Sequence, residues 1–221
     1  MGNITAPYIE SFIRDLLPNE TGVLNMIATK AREDNIPIIH PEVASFLNII
    51  TKISASKKIL EIGTAIGYSS ILLCKAAGRG GHVTTIERND QRANEALLNI
   101  GAADLSNNIR VIIGDAQEVL TFLTQKYDLI FLDGAKGHYR DMVEKSIHLL
   151  KCGGVLISDN ILFQGMVAND SLVIRRKRTI VNRMRDYLSY ICNHPELDTS
   201  IILIGDGVAI SYKGSEVCTN G

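Results

Sequence analysis

The 221-residue sequence has no tryptophan, and its aromatic residues amount to only 5%. That leaves little material for a ligand slot walled mainly by rings. Cysteines number four, Cys74, Cys152, Cys192 and Cys218, without a CxxC pair or a histidine at ligand spacing. Neither zinc nor a structural disulfide is therefore expected. No apolar run approaches the roughly 20 residues that span a bilayer, so no membrane association is expected. The one apolar stretch near the N-terminus is interrupted by Glu10, Arg14 and Asp15, unlike a secretion signal, and a cytoplasmic location is expected. Repeats and low-complexity linkers are missing as well. The formal net charge of -1 does not by itself suggest a nucleic-acid partner.

What is present is globular in composition, 46% hydrophobic and 21% charged, and of a length that fits one domain, residues 1–221. Short apolar runs rich in β-branched residues, Lys58 to Ile62, His82 to Glu87, Ile109 to Gly114, Tyr127 to Leu132 and Val155 to Ser158, alternate with helix-length segments. That alternation predicts an α/β fold with a parallel sheet. Helical periodicity runs over Ser69 to Ala77, Asp90 to Ala103, Ala116 to Gln125, Tyr139 to Leu150 and Ser171 to Cys192. Two last strands, Ser200 to Ile204 and Gly207 to Tyr212, flank Gly205-Asp206-Gly207, a connection so short that it requires an antiparallel hairpin. Residues 1–55 read as a helical cap broken at Pro18 and at Pro37-Ile38-Ile39-His40-Pro41, covering a ligand and forming part of a dimer contact. The core of the domain is expected over 56–213, and the polar tail 214–221 is expected to fray.

The most informative stretch is Lys57 to Ser70, KKILEIGTAIGYSS. Ile59 to Ile62 form a buried strand, Gly63 and Gly67 let backbone approach a ligand, and Ser69 and Ser70 open a helix. A dinucleotide fold wants a glycine at the middle turn position, where a pyrophosphate touches the backbone, and Ala65 stands there instead. The substitution points to a cofactor without a pyrophosphate, with S-adenosylmethionine the leading candidate, against a strand-turn-helix that binds nothing.

Glu87 ends the second strand about twenty residues on, where a carboxylate accepts ribose hydroxyls, unless it is simply an exposed strand-end acid. Asp115, after the third strand, is a candidate for the adenine end of the ligand and also a good helix N-cap. Asp133 and the pair Asp159-Asn160 end the fourth and fifth strands, at the carboxyl edge where ligands of α/β sheets bind. Two carboxylates and an amide oxygen form an all-oxygen set suited to Mg²⁺, although each residue alone could be a cap. Lys136 reaches the same pocket. A nearby divalent cation would lower its pKa toward that of a general base; a solvated loop cation is the alternative. His138 is a weaker base candidate. Arg175-Arg176-Lys177-Arg178 with Arg183 and Arg185 puts six cations within eleven residues. As a helix, the segment would place Arg175, Arg178 and Arg185 near one face and Arg176 and Arg183 on another, so some of them would simply be solvated.

Glu61 to Ser70, Glu87-Arg88, Asp115-Ala116, the Asp133 to Tyr139 loop and Ser158-Asp159-Asn160 together resemble the cation-dependent O-methyltransferases related to the catechol and caffeoyl-CoA enzymes. That resemblance implies a Rossmann-like class I methyltransferase fold, a seven-stranded, mostly parallel sheet with an antiparallel C-terminal hairpin and helices on both faces. It assigns Ile39, Glu61, Gly63, Ser69, Glu87, Arg88, Asp115, Ala116 and Asp133 to the cofactor pocket, Asp133, Asp159 and Asn160 to the metal, and Lys136, with Asp133, to catalysis. It also suggests a homodimer. Asp159 to Val167, the Arg175 to Arg185 stretch and Ile204 to Ser211 further resemble the bacterial tRNA 5-hydroxyuridine methyltransferases, which make 5-methoxyuridine at the wobble position. That likeness implies an anticodon-loop substrate bound by Arg175, Arg176, Lys177, Arg178, Arg183 and Arg185, a use of cations that phosphates favour. A small-molecule catechol or caffeoyl-CoA-like acceptor is the alternative.

Overall fold

The computed structural model describes residues 4–214. Three helices come first, α1 (Pro7–Leu16), α2 (Gly22–Glu33) and α3 (Pro41–Ile53). The sheet then alternates with helices: β1 (Lys58–Ile62), α4 (Tyr68–Ala77), β2 (His82–Glu87), α5 (Asp90–Ala102), β3 (Ile109–Ile113), α6 (Ala116–Phe122), β4 (Tyr127–Leu132), α7 (Tyr139–Ser146) and β5 (Leu150–Ser158). Helix α8 (Arg178–Cys192) leads to the hairpin of β6 (Leu197–Ile202) and β7 (Val208–Lys213). The seven strands lie in the order β3-β2-β1-β4-β5-β7-β6. β7 alone runs against its neighbours, pairing antiparallel with both β5 and β6.

Strand alternation divides the core in two. On one face Ile59, Val83, Leu129, Phe131, Val155 and Ile157 pack with residues of α2 to α5, among them Ile27, Val43, Leu47, Ile71 and Ala96. On the other, Leu60, Ile62, Ile86, Ile130, Leu132 and Leu156 meet Leu120 of α6, Met142 and Val143 of α7, and Val181, Met184, Tyr187 and Ile191 of α8. Each such fully buried aliphatic side chain contributes about 1.5–3 kcal/mol. The last four recur at helical spacing while most of the rest of α8 faces outward, which orients that helix. By contrast α1 buries none of its residues. Arg14 ties it down, donating through Nε and Nη2 to the two carboxylate oxygens of Glu42 at 2.8 Å each.

Several expectations change, among them the first hairpin strand, which runs Leu197–Ile202 rather than Ser200 to Ile204. The stretch from Ser171 is not one helix: 3-10 turns occupy Asp170–Leu172 and Arg175–Lys177, and α-helix begins only at Arg178. β5 starts at Leu150, ahead of Val155, with a register irregularity against β4 where Gly153 and Gly154 admit a bend. Cys74 and Cys192 are free thiols, but the exposed Cys152 is disulfide-bonded, which no CxxC spacing announced. The expectation of a fraying tail falls, beyond Gly214, outside the described residues. Among them no helix is long and apolar enough to cross a membrane.

Candidate active site

Strand order reverses between β1 and β4, and at their carboxyl ends a cavity of about 510 Å³ opens, within the range of small-molecule sites. Its wall takes Ile39 and His40 from the segment before α3, Gly63 and Ala65 from the turn after β1, and Glu87 and Arg88 from the end of β2. Asp115 and Ala116 follow β3, while Asp133, Lys136, Asp159 and Asn160 follow β4 and β5.

At the β2–β3 end the acids are engaged by backbone. Glu87 accepts from the amides of Ala65 and Asn89, both at 2.9 Å, so it clamps the turn after β1 onto β2 and keeps spare lone pairs for a ligand. Asp115 caps α6 by accepting from Gln117 N–H at 2.8 Å, the structural role that its position offered, and still faces the cavity.

The turn is shaped chiefly by packing. Gly63, at φ +108°, lies where a Cβ would stand 2.1 Å from the carbonyl oxygen of Asp133, and Gly67, at φ +86°, where one would press on Ala96 at 3.2 Å. Both glycines therefore serve contact between protein segments, although Gly63 also borders the cavity. Ala65 adopts φ +46°, a left-handed conformation uncommon for alanine.

Glu61 and Ser69 lie behind this wall, outside the cavity lining. Glu61 is fully buried, takes hydrogen bonds from Ser70 and from Thr85 Oγ1 (2.6 Å), and has its pKa pushed up to about 7 by burial against the pull of the surrounding hydroxyls. Its Oε1 has no hydrogen-bond partner in the structure. The pair is placed to fix the turn from beneath.

At the β4–β5 end one carboxylate oxygen is left unspent. In register, Leu132 pairs with Ser158, so Asp133 and Asp159 leave adjacent strand tips. Tyr139 Oη donates to the carbonyl of Asp159 at 3.0 Å, and Asn160 N–H donates to its Oδ1 at 2.7 Å, with Asn160 at φ +54°. Asp159 Oδ2 is buried with no partner. Burial pushes the carboxyl pKa of Asp133 and Asp159 up, and for Asp159 the charge of Asp133 adds to the effect. An orphaned carboxylate oxygen beside a second carboxylate and an amide oxygen is what a hard divalent cation relieves, so these residues fit one. Among the described residues no group of three His, Cys, Asp or Glu could hold a metal, so the set rests on Asn160 as its third member.

Lys136 opens a short 3-10 turn, Lys136–His138, and its pKa is lowered by burial, against the opposing pull of Asp206, Asp133 and Asp159. Its Nζ is 3.8 Å from Asp206 Oδ2 and 5.0 Å from the centroid of the Phe163 ring. Asp206, Phe163 and the cavity-lining His40 are not marked as site residues by any motif in the sequence. Gly-Asp-Gly reads as a turn and nothing more, and all three reach the site only through tertiary contact.

The six cations of 175–185 do not form one strip. Arg185 donates to the carbonyls of Val167 (2.9 Å) and Met166 (3.3 Å) and pairs with Asp170, while Arg183 donates to Gly137 O at 3.1 Å. Lys177 lies over Phe163 at 4.7 Å. Arg175, Arg176 and Arg178 remain exposed.

A family model described as O-methyltransferase matches residues 22–214. The catechol O-methyltransferase of Niastella koreensis is 28% identical over 177 residues, 77% of this chain and 80% of that protein. That of Mycobacterium tuberculosis is 26% identical over 93% of this chain and 94% of its own length. Among solved structures, a caffeoyl-CoA O-methyltransferase candidate from Staphylococcus aureus superposes with a TM-score of 0.88 at 32% identity, covering 94% of this chain and 100% of that one. A Bacillus cereus O-methyltransferase in complex with SAH gives 0.82 at 26% identity, covering 93% and 97%.

Proposed function

The chain belongs to the O-methyltransferase family, and from that premise we propose that it moves the methyl group of S-adenosylmethionine onto a hydroxyl oxygen of a catechol- or caffeoyl-CoA-type acceptor, assisted by a divalent cation such as Mg²⁺. The observation that carries this reading is a single cavity with two unlike ends, one lined by backbone-anchored acids and the other by two carboxylates, one with an orphaned oxygen, beside a half-buried lysine. Relatives named for catechol and caffeoyl-CoA, and one solved with SAH, support the substrate class and the cofactor.

When bound, S-adenosylmethionine supplies a methyl group made electrophilic by its sulfonium, and the cation supplies a Lewis acid that favours an ionised acceptor hydroxyl. The protein does the rest. Glu87 would offer its free lone pairs to ribose hydroxyls, Asp115 and Ala116 would hold the adenine end, and Ile39 and Arg88 would line the same pocket. Asp133, Asp159 and Asn160 present their oxygens to the cation. Lys136, its ammonium disfavoured by burial, takes the acceptor's hydroxyl proton at Nζ and releases it to solvent. Holding both reactants in one cavity supplies much of the rate.

The test is methyl transfer from labelled S-adenosylmethionine to a catechol and to caffeoyl-CoA, with Mg²⁺ and with a chelator. Transfer that the chelator abolishes supports the reading; none to either acceptor under any condition ends it. One observation favours a second reading, methylation of 5-hydroxyuridine at the tRNA wobble position: exposed Arg175, Arg176 and Arg178 adjoin Lys177, which lies over Phe163 beside Lys136. Phosphates of an anticodon loop would meet such a cluster. Replacing the three arginines with Ala separates the two, because tRNA methylation would be lost and catechol methylation kept. A homodimer is part of the same proposal, supported by the exposed Tyr8, Phe12 and Leu16 on α1.

A further inference from the structure

Lys136 faces a choice of partners. Its charge feels three carboxylates, Asp206 and the pair Asp133 and Asp159. The pair carries the orphaned Asp159 Oδ2, so a lysine on a flexible four-carbon stem would be drawn onto it and would take the place proposed above for the cation.

Asp206 is built to oppose that. It sits in the turn between β6 and β7, where its Oδ1 accepts from Gln164 N–H at 2.6 Å and its carbonyl accepts from Leu162 N–H at 3.0 Å. Those two bonds leave Oδ2 aimed at Lys136 Nζ, 3.8 Å away. The flanking residues explain how the turn comes so close. At Gly205 (φ +55°) a Cβ would stand 2.7 Å from Val43 Cγ2 and 3.3 Å from His40 Cδ2, and at Gly207 (φ +82°) one would stand 2.5 Å from Leu162 Cγ. Only a residue without a side chain fits on either side, so Gly-Asp-Gly delivers one carboxylate between the start of α3 and the loop after β5. Phe163, in that loop, lies under the ammonium and gives it an aromatic face to rest on.

We propose that Asp206 is a positioning residue for Lys136, holding its ammonium on the acceptor side of the cavity and off the carboxylates of Asp133 and Asp159. This rests on the reading of those carboxylates as a cation site. Asp206 thus keeps the cation site open and presents Lys136 toward the acceptor.

The experiment measures Mn²⁺ affinity, by loss of the free-ion electron paramagnetic resonance signal, in the full-length protein with S-adenosylhomocysteine present. Four proteins are compared: wild type, Asp206→Asn, Lys136→Met and the double variant. Asparagine keeps an acceptor for Gln164 N–H, and circular dichroism checks folding. Asp206→Glu, which keeps the charge, serves as a second variant and is expected to bind close to wild type.

The expected result is coupling: Asp206→Asn weakens Mn²⁺ binding about tenfold or more when Lys136 is present, the scale on which supporting residues act at metal sites. In the Lys136→Met background the same change has little effect. For methyl transfer, kcat falls while the KM for S-adenosylmethionine holds. Equal loss in both backgrounds would mean that Asp206 acts only as one more negative charge, and it overturns the proposal, as does no loss in either. Wild-type protein that takes up no Mn²⁺ instead overturns the cation reading and this inference with it.

Discussion

The two ends of the cavity are built on opposite rules. At the β2–β3 end each acid already has a backbone partner: Glu87 holds the amides of Ala65 and Asn89, and Asp115 caps α6. At the β4–β5 end Asp159 Oδ2 has none, and two carboxyls and a lysine are packed together with their charged forms disfavoured by burial. Acids spent on the backbone shape a pocket that exists before its ligand arrives. An acid left unsatisfied carries an electrostatic cost that a proton or a bound cation relieves. The first end is therefore read as recognition and the second as chemistry.

Substitutions that test this contrast should differ in kind as well as size. Asp159→Ala removes the orphaned oxygen itself and should cut methyl transfer at least about 10³-fold, since a Lewis-acid contribution of several kcal/mol goes with it. Binding of S-adenosylhomocysteine, followed by calorimetry, should be nearly unchanged; an active Asp159→Ala enzyme would break the comparison. Lys136→Met should lower kcat on the order of 10²-fold, toward the lower end for proton transfer because the proposed cation would still acidify the acceptor. A higher KM at unchanged kcat would move Lys136 into the recognition group.

Glu61 probes the layer behind the wall. Its carboxyl is pushed up from 4.5 to about 7, so between those pH values the folded chain binds a proton that the unfolded chain has lost. Stability from this group is complete below pH 4.5 and is lost as pH rises toward 7, by up to about 3 kcal/mol. Urea unfolding at pH 5 and pH 8 should thus show a smaller drop for Glu61→Gln than for wild type, and equal drops would remove the carboxyl from the account. Glu87→Ala, at the recognition end, should raise the KM for S-adenosylmethionine about tenfold, since a carboxylate with backbone partners contributes binding on the scale of one or two charge-assisted hydrogen bonds, and leave kcat within a few fold.

The same division explains what the sequence disclosed. β1, β2 and β4 begin and end where their apolar runs do, because buried parallel strands have no polar face to blur the pattern. The acids at their tips were legible for the same reason, since a residue that follows such a run lies at the carboxyl edge. What remained hidden depends on contact across the chain. Glu61 and Ser69 belong to the motif by position, yet they fold beneath the turn. The cations of 175–185 read as a helical segment with charge on two faces, but Arg185 and Arg183 are drawn to carbonyls of other loops, and helix begins only at Arg178. Asp206 is delivered by a hairpin whose glycines read as turn residues, and nothing in their spacing names Lys136 as its neighbour.

The most direct measurement is anomalous diffraction from a crystal soaked with Mn²⁺ and S-adenosylhomocysteine. One strong peak is expected among the side-chain oxygens of Asp133, Asp159 and Asn160, with the nucleoside lying against Glu87 and Asp115. A peak elsewhere, or none while the nucleoside occupies the cavity, would contradict it.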